Sequence, residues 1–199
     1  LKIGQQGATT LELDVWDSQR QEAGSQIIKA RKEAIEVLND LAKSVHCQIA
    51  DAALLSKKEQ GSEILKIFYK PSMFNKEKRF DEIRKGHTLS GPHLDDMLFQ
   101  INEIDARRFS SQGQQRTASI SLRLAEMEYL YQQTKELPVL LLDDICSELD
   151  DVRRNCLMKA INRGGQIFIT TTSLDTVKEL MEGEHQVFTV KDGLIEPKR

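Results

Sequence analysis

Residues 139–144 read Val-Leu-Leu-Leu-Asp-Asp, four successive apolar side chains that end in two adjacent carboxylates. A strand with one face in water alternates apolar and polar residues, so an unbroken apolar run stopped by charge suits a parallel strand covered by helices on both faces. The run Ile167–Ile169 has the same character. Around these runs lie a strand pattern near Met97–Ile101 and helical patterns from about Gln114 to Tyr131, from about Asp151, and near Leu174–Met181. A last strand near Gln186–Val190 precedes the turn Lys191-Asp192-Gly193. The alternation predicts an α/β fold in which the strand at 186–190 completes the sheet. Ligand sites in such sheets open at the carboxyl ends of the strands, where Asp143 and Asp144 fall.

The first part of the chain differs. Residues 9–16, Thr-Thr-Leu-Glu-Leu-Asp-Val-Trp, alternate in the period of a half-buried strand, a run short enough to be equally an extended lead-in to a helix. Trp16 is expected to anchor a core rather than to stack on a base. From about Asp17 to Cys47 the apolar residues Ile27, Ile28, Ile35, Leu38, Leu41, Ala42 and Val45 recur at steps of three and four, which places them on one face of a long helix or helix pair. The expectation is a helical subdomain over residues 1–60 and a second unit over 61–199. That second unit opens with a strand at 62–69, stopped by Pro71, and a charged surface helix at 74–86, ended by Gly86.

Composition excludes several classes. A 199-residue chain that is 39% hydrophobic can build one sizeable core or two small ones. Its three cysteines, Cys47, Cys146 and Cys156, are an odd number without paired spacing, which predicts reduced thiols in the cytoplasm and no zinc site. No run approaches the roughly 18 apolar residues of a membrane span, and LKIGQQGATT lacks the pattern of a signal peptide. The chain opens on Leu rather than Met, as an excerpt would. The net charge of −3 lies entirely in residues 131–199. Arg79, Arg84, Lys85 and His87 form one local cationic stretch, and Arg107, Arg108, Arg116 and Arg123 another, but charge alone gives no footprint for nucleic acid.

The acidic pair suggests phosphate chemistry. A magnesium ion on nucleotide phosphates takes one or two carboxylates and keeps several waters, so Asp143 could hold the ion while Asp144 orients and deprotonates a water. Taken alone, the pair is equally compatible with Asp143 capping a turn and Asp144 being solvated. Upstream, residues 110–116 read Ser-Ser-Gln-Gly-Gln-Gln-Arg just before a helical pattern containing Ala118, Leu122, Ala125 and Met127. Such a turn offers backbone N–H groups, a hydroxyl and an amide to a phosphate, although Ser and Gly also serve as ordinary helix caps.

Together these strings resemble a known family. SSQGQ at 110–114 is similar to the ABC-ATPase signature, LLLDD at 140–144 to Walker B, and SELDD at 147–151 to the D-loop, in family order. SGPHLDD at 90–96, FSSQGQQRTASISLRLAE at 109–126, LLLDDICSELD at 140–150 and VWDSQ at 15–19 resemble the RecF family, within the wider class that includes Rad50 and the SMC proteins. The resemblance covers essentially the whole chain. It implies an ABC-ATPase-head-like, P-loop NTPase-like sheet remnant with a helical subdomain, residues 61–199 being the C-terminal half of the head. It implies Asp143 as the magnesium ligand and Asp144 as the catalytic carboxylate. Ser111, Gly113 and Gln114 would reach the γ-phosphate of ATP held by a second subunit, with Asp150 in the D-loop. A γ-phosphate sensor, often histidine, follows the next strand in ABC proteins; here that place holds Thr171 and Thr172.

The implied whole protein is a weak ATPase that forms an ATP-dependent homodimer, binds DNA at single-strand/double-strand junctions or gaps, and works with RecR to help RecA load. A G-x-x-x-x-G-K-[ST] string does not occur in the chain, so the expectation is that the phosphate loop belongs to a preceding segment and that this chain alone is inactive. Gly91-Pro92-His93-Leu94-Asp95-Asp96 reads first as a structural turn, with a metal site at His93, Asp95 and Asp96 as the lesser alternative; the family usually has a basic residue at the place of Leu94. Two other readings stand beside the first. One is a non-catalytic interaction module on an ABC-like scaffold. The other is a Rad50-like or SMC-like head, against which stands the lack of a long heptad run between residues 17 and 60.

Overall fold

A computed structural model describes residues 10–56, 62–144, 149–161, 165–178 and 184–198. Helix α1 runs unbroken over Thr10–Ser56, 47 residues with no proline to interrupt the ladder. Of the two readings of residues 9–16, a strand or an extended lead-in to a helix, neither holds from Thr10 onward, where the segment is already helical. A strand needs a partner ladder, whereas here Asp14, Asp17 and Arg20 share one helix face and are fixed by charge. Arg79 reaches Asp14 at 2.7 Å and Asp17 at 3.6 Å, and Arg20 reaches Glu82 at 3.0 Å. Trp16 lies outside this contact and is 57% exposed, so it is not a core anchor. The apolar face becomes a packed face only from Ile35 onward, and Ile27 is largely exposed.

Strands β1 (Leu65–Lys70), β2 (Asp96–Ile101) and β3 (Ile104–Asp105) form an antiparallel sheet in that order, with Leu65 opposite Ile101 and Lys70 opposite Asp96. The β2–β3 turn places Asn102 and Glu103 at positive φ, the backbone twist that suits a two-residue hairpin. Helix α1 covers the face carrying Leu65, Ile67 and Ile101, and its Asn39 side chain accepts the Ile67 N–H at 2.8 Å. The charged stretch after Pro71 becomes a short 3₁₀ turn and helix α2 (Arg79–Lys85), which ends on Gly86 in the left-handed conformation.

After α3 (Ala106–Phe109), helix α4 (Gln112–Thr134) is buried on two sides. Ala118 and Ala125 meet Ala42, Leu65 and Ile101 in one cluster; Ile120 and Leu124 meet Ile49, Leu142, Leu157 and Val177 in the other. Strands β4 (Leu140–Asp143) and β5 (Ile167–Thr170) pair in parallel, as the apolar runs predicted, and α5 (Asp151–Ile161) packs in the same cluster as they do. Cover on both strand faces does not hold among the described residues: Leu142 is buried, but Leu141 is 71% and Phe168 52% exposed. After α6 (Asp175–Lys178), β6 (Phe188–Lys191) and β7 (Leu194–Pro197) form a hairpin of their own. The expectation that the strand at 186–190 completes the β4–β5 sheet is thus corrected. The Asp192-Gly193 turn, both residues at positive φ, closes that strand back on β7 instead.

Among the described residues no helix is long and apolar enough to cross a membrane. Leu157, 2% exposed, sits where α5, α4 and β4 meet. Leu157→Ala should destabilise the protein by about 2–5 kcal/mol, the usual cost of a buried leucine and its cavity, as read from urea unfolding.

Candidate functional site

The acidic pair is placed by strand register. Asp143 ends β4 directly opposite Thr170, which ends β5. The Thr170 hydroxyl donates to Asp143 Oδ1 at 2.6 Å and its oxygen accepts the Asp144 N–H at 2.9 Å. Asp144 turns the chain out of the strand at φ +48°. Both carboxylates are exposed. Thr171 is folded onto its own turn, its hydroxyl accepting the Ser173 N–H at 3.2 Å and donating to the Ser173 carbonyl at 3.0 Å. Thr172 is exposed beside it. The hydroxyl in contact with the acidic pair is therefore that of Thr170, which sequence reasoning passed over as a strand residue. Equal-length parallel strands ending together were the signal that could have found it.

The second group is built on the start of α4. Ser111 is its N-cap, and the Ser111 hydroxyl oxygen accepts the Gln114 N–H at 3.2 Å while Gln114 Oε1 accepts the Ser111 N–H at 2.9 Å. This reciprocal cap satisfies two N–H groups that a helix start leaves open. It does not use the Ser111 hydroxyl proton, which remains a donor for an anion. Thr117, one turn into the helix, donates to the Gly113 carbonyl at 2.9 Å and accepts from Arg153 Nε at 2.6 Å. Arg153 pairs with the Asp150 carboxylate, which also accepts the Arg153 N–H at 2.9 Å. Asp150 thus sits at the start of α5, linked through Arg153 and Thr117 to Gly113. Ser147 and Glu148 of the SELDD string lie outside the described residues, as does Cys146.

His46 is wholly buried on α1. Its Nε2 lies 3.4 Å from Glu63 Oε2 and its Nδ1 3.5 Å from the Ser121 hydroxyl. Burial pushes the imidazole pKa down against the opposing pull of Glu63. The segment Gly91–Asp96 is a structural turn: Gly91 takes φ +121°, and Asp95 accepts from Tyr69, from the Ser72 N–H at 2.8 Å and from Arg31 at 2.7 Å. Burial raises the Asp95 carboxyl pKa, but these donors outweigh it and hold the group below the usual range. Asp96 is gripped by Arg107, and His93 faces Thr88 at 2.9 Å. Among the described residues no three His, Cys, Asp or Glu side chains converge as a metal site. Asp143 and Asp144 with the Thr170 hydroxyl offer hard oxygen donors, a fit to magnesium shared with phosphate and water.

The solved neighbours give the chain, with its parallel strand pair and the capped helix α4, an ABC-ATPase-like fold. Two structures of the recombination mediator protein RecF of the RecFOR pathway superpose on it. The form with ATP gives a TM-score of 0.74 at 30% identity, and the form with ATPrS 0.75 at 32%. Each covers 98% of this chain and about half of the solved one. Among curated relatives, the DNA replication and repair protein RecF of Halothermothrix orenii is 41% identical over 206 residues, covering 98% of the chain. Those of Lysinibacillus sphaericus and Lactococcus lactis subsp. cremoris are 38% and 42% identical, covering 92% and 94%. No family model matches. The chain is similar to RecF proteins over nearly its whole length and spans about half the length of the curated relatives it matches.

His46 makes stability depend on pH. Its folded pKa lies below the usual value of 6.5, so an unfolded chain binds the proton first. The contribution is complete above pH 6.5 and is lost as pH falls from there through the depressed folded value. Asp95 and Glu82, both lowered, act only in the more acidic range below their usual 3.8 and 4.5. The melting temperature should fall between pH 7 and 5.5, and His46→Gln should flatten that slope.

Proposed function

We propose that this chain is the C-terminal part of a RecF-type ATPase of recombinational repair, in which ATP acts as a dimer switch. What supports the reading most is the Asp143–Asp144–Thr170 group at the carboxyl ends of two parallel strands, the position where nucleotide sites open in such sheets. In this reading residues 1–60 form a helical lobe and 61–199 the second half of the head. Asp143 binds magnesium and Asp144 serves as the catalytic carboxylate. Thr171 or Thr172 senses the γ-phosphate. Ser111, Gly113 and Gln114 face the γ-phosphate of ATP on a second subunit, with Asp150 across the same interface.

The chemistry assigned to these residues is limited to their own groups. Asp144 accepts the proton of an attacking water; Ser111 donates its hydroxyl proton, and the α4 N-terminus offers its partial positive charge, to a terminal phosphate. Magnesium, when bound, neutralises developing charge on the phosphates. A contact that exists only with the γ-phosphate present favours the dimer by differential affinity, and hydrolysis releases it. The dimer binds DNA at gaps or single-strand/double-strand junctions in the cytoplasm and acts with RecR to help RecA load.

Light scattering of the full-length protein tests the switch. ATP with magnesium should convert wild type into a dimer and leave Ser111→Arg monomeric; a mutant that dimerises normally would remove the signature turn from the interface. Asp144→Asn should lower hydrolysis about 100-fold or more, the scale of a lost general base, while ATP binding persists. Unchanged turnover would take the catalytic role from Asp144.

A further inference from the structure

The start of α4 is held by a side chain from outside the motif. Gln114 Nε2 donates to Glu63 Oε1 at 2.9 Å, while Gln114 Oε1 accepts the Ser111 N–H. One amide thus joins the cap of the signature turn to a residue 51 positions earlier in the chain. Glu63 precedes β1, and its own placement is fixed. Its carbonyl accepts from the Cys47 thiol at 3.5 Å, and its neighbour Ile64 donates to Asn102 at 2.9 Å. Its second carboxylate oxygen is buried and lies 3.4 Å from His46 Nε2, a charge contact outside hydrogen-bond geometry. His46 is 0% exposed in the middle of the contact between α1 and α4. The other ring nitrogen faces Ser121, whose hydroxyl donates to the Thr117 carbonyl at 2.7 Å. A neutral His46 has one ring proton for two acceptors; on Nε2 it points at the Glu63 carboxylate, and the Nδ1 lone pair then faces a Ser121 oxygen whose own proton is spent on Thr117.

A buried imidazole and a carboxylate are expensive to place in a core that apolar residues could fill. The signature turn would be capped by Ser111 and Gln114 without them. The pair therefore does something beyond capping: it ties the orientation of the Gln114 amide, and with it the turn, to the seat of α1. That helix is the longest element of the molecule, and its N-terminal third reaches α2 through Asp14, Asp17 and Arg20.

We propose that Glu63 is a positioning residue of the signature turn and His46 its anchor on α1, so that the seating of the long helix sets how well the turn receives the facing nucleotide. The proposal rests on the reading of Ser111 and Gln114 as a contact made across a dimer interface. It assigns Glu63 no contact with ATP. The groups facing His46 are Glu63 ahead of β1, Arg153 on α5, Asp51 on α1 itself and the Ser121 hydroxyl on α4.

Glu63→Ala and Glu63→Gln separate positioning from general support. Glutamine keeps an oxygen for the Gln114 amide, and its own NH₂ can donate to His46 Nε2 once the ring proton moves to Nδ1 and points at Ser121. In the full-length protein, Glu63→Ala should raise the ATP concentration for half-maximal dimerisation about tenfold, the scale of one lost charge-assisted hydrogen bond, and Glu63→Gln should return it to within about twofold of wild type. Binding of a fluorescent ATP analogue to the monomer should be unchanged in both. Wild-type dimerisation by Glu63→Ala would overturn the proposal. So would equal loss in both variants, or loss that merely tracks a lowered melting temperature. Ser111→Arg run alongside distinguishes the levels: if it dimerises normally, the interface reading falls and takes the proposal with it. If Ser111→Arg is blocked and Glu63→Ala is normal, only the coupling falls.

Discussion

Both core clusters of the described structure lean on α4 being buried along two sides at once. Small residues, Ala118 and Ala125, let α1 and the antiparallel sheet approach one side, and Ile120 and Leu124 seat the β4–α5 cluster on the other. A helix held on two faces cannot roll or slide without opening a void, because protein interiors are packed to near-crystalline density. Its first turn is therefore a fixed point, and the Ser111–Gln114 cap inherits that rigidity. The parallel strands take their place from the same packing, which explains how an exposed acidic pair can be held in a defined position without being buried.

Polar bonds then refine what packing sets roughly. Thr117 and Ser121 lie on the buried side of α4 and are both fully covered. Each donates back to a carbonyl one turn earlier and is also approached by a side chain from a neighbouring element, Arg153 from α5 and His46 from α1. Hydroxyls inside a helix need such partners, since an unsatisfied polar group in a core is costly. The two residues are thus points where polar side chains of α1 and α5 meet the helix that carries the Ser111–Gln114 cap.

Much of this was legible in the residues. Continuous apolar runs, one of them ending in two carboxylates, gave β4 and β5 and their parallel pairing, and Ser111 followed by Gln114 three residues later is a capping pattern that needs no tertiary context. The errors have physical causes. Eight alternating residues at 9–16 fit a strand as well as they fit a helix, and the deciding partners, Arg79 and Lys76, lie more than sixty positions away. The exposure of Leu141 and Phe168 cannot be read from hydrophobicity, which marks a side chain as able to be covered and says nothing of what covers it. Thr170, His46 and Glu63 act through partners distant in sequence, and no local pattern announces them.

The left-handed backbone at Asp144 has its own consequence for how the acidic pair can be altered. At φ +48° only Gly, Asn and Asp sit without appreciable strain, other residues losing roughly 1–2 kcal/mol. The Asp144 N–H is also the group that holds Thr170, and Thr170 holds Asp143. A side chain that forces this residue toward ordinary φ would therefore disturb the neighbouring carboxylate as well as remove its own. The identity of residue 144 is constrained twice, once by the charge it carries and once by the bend it makes.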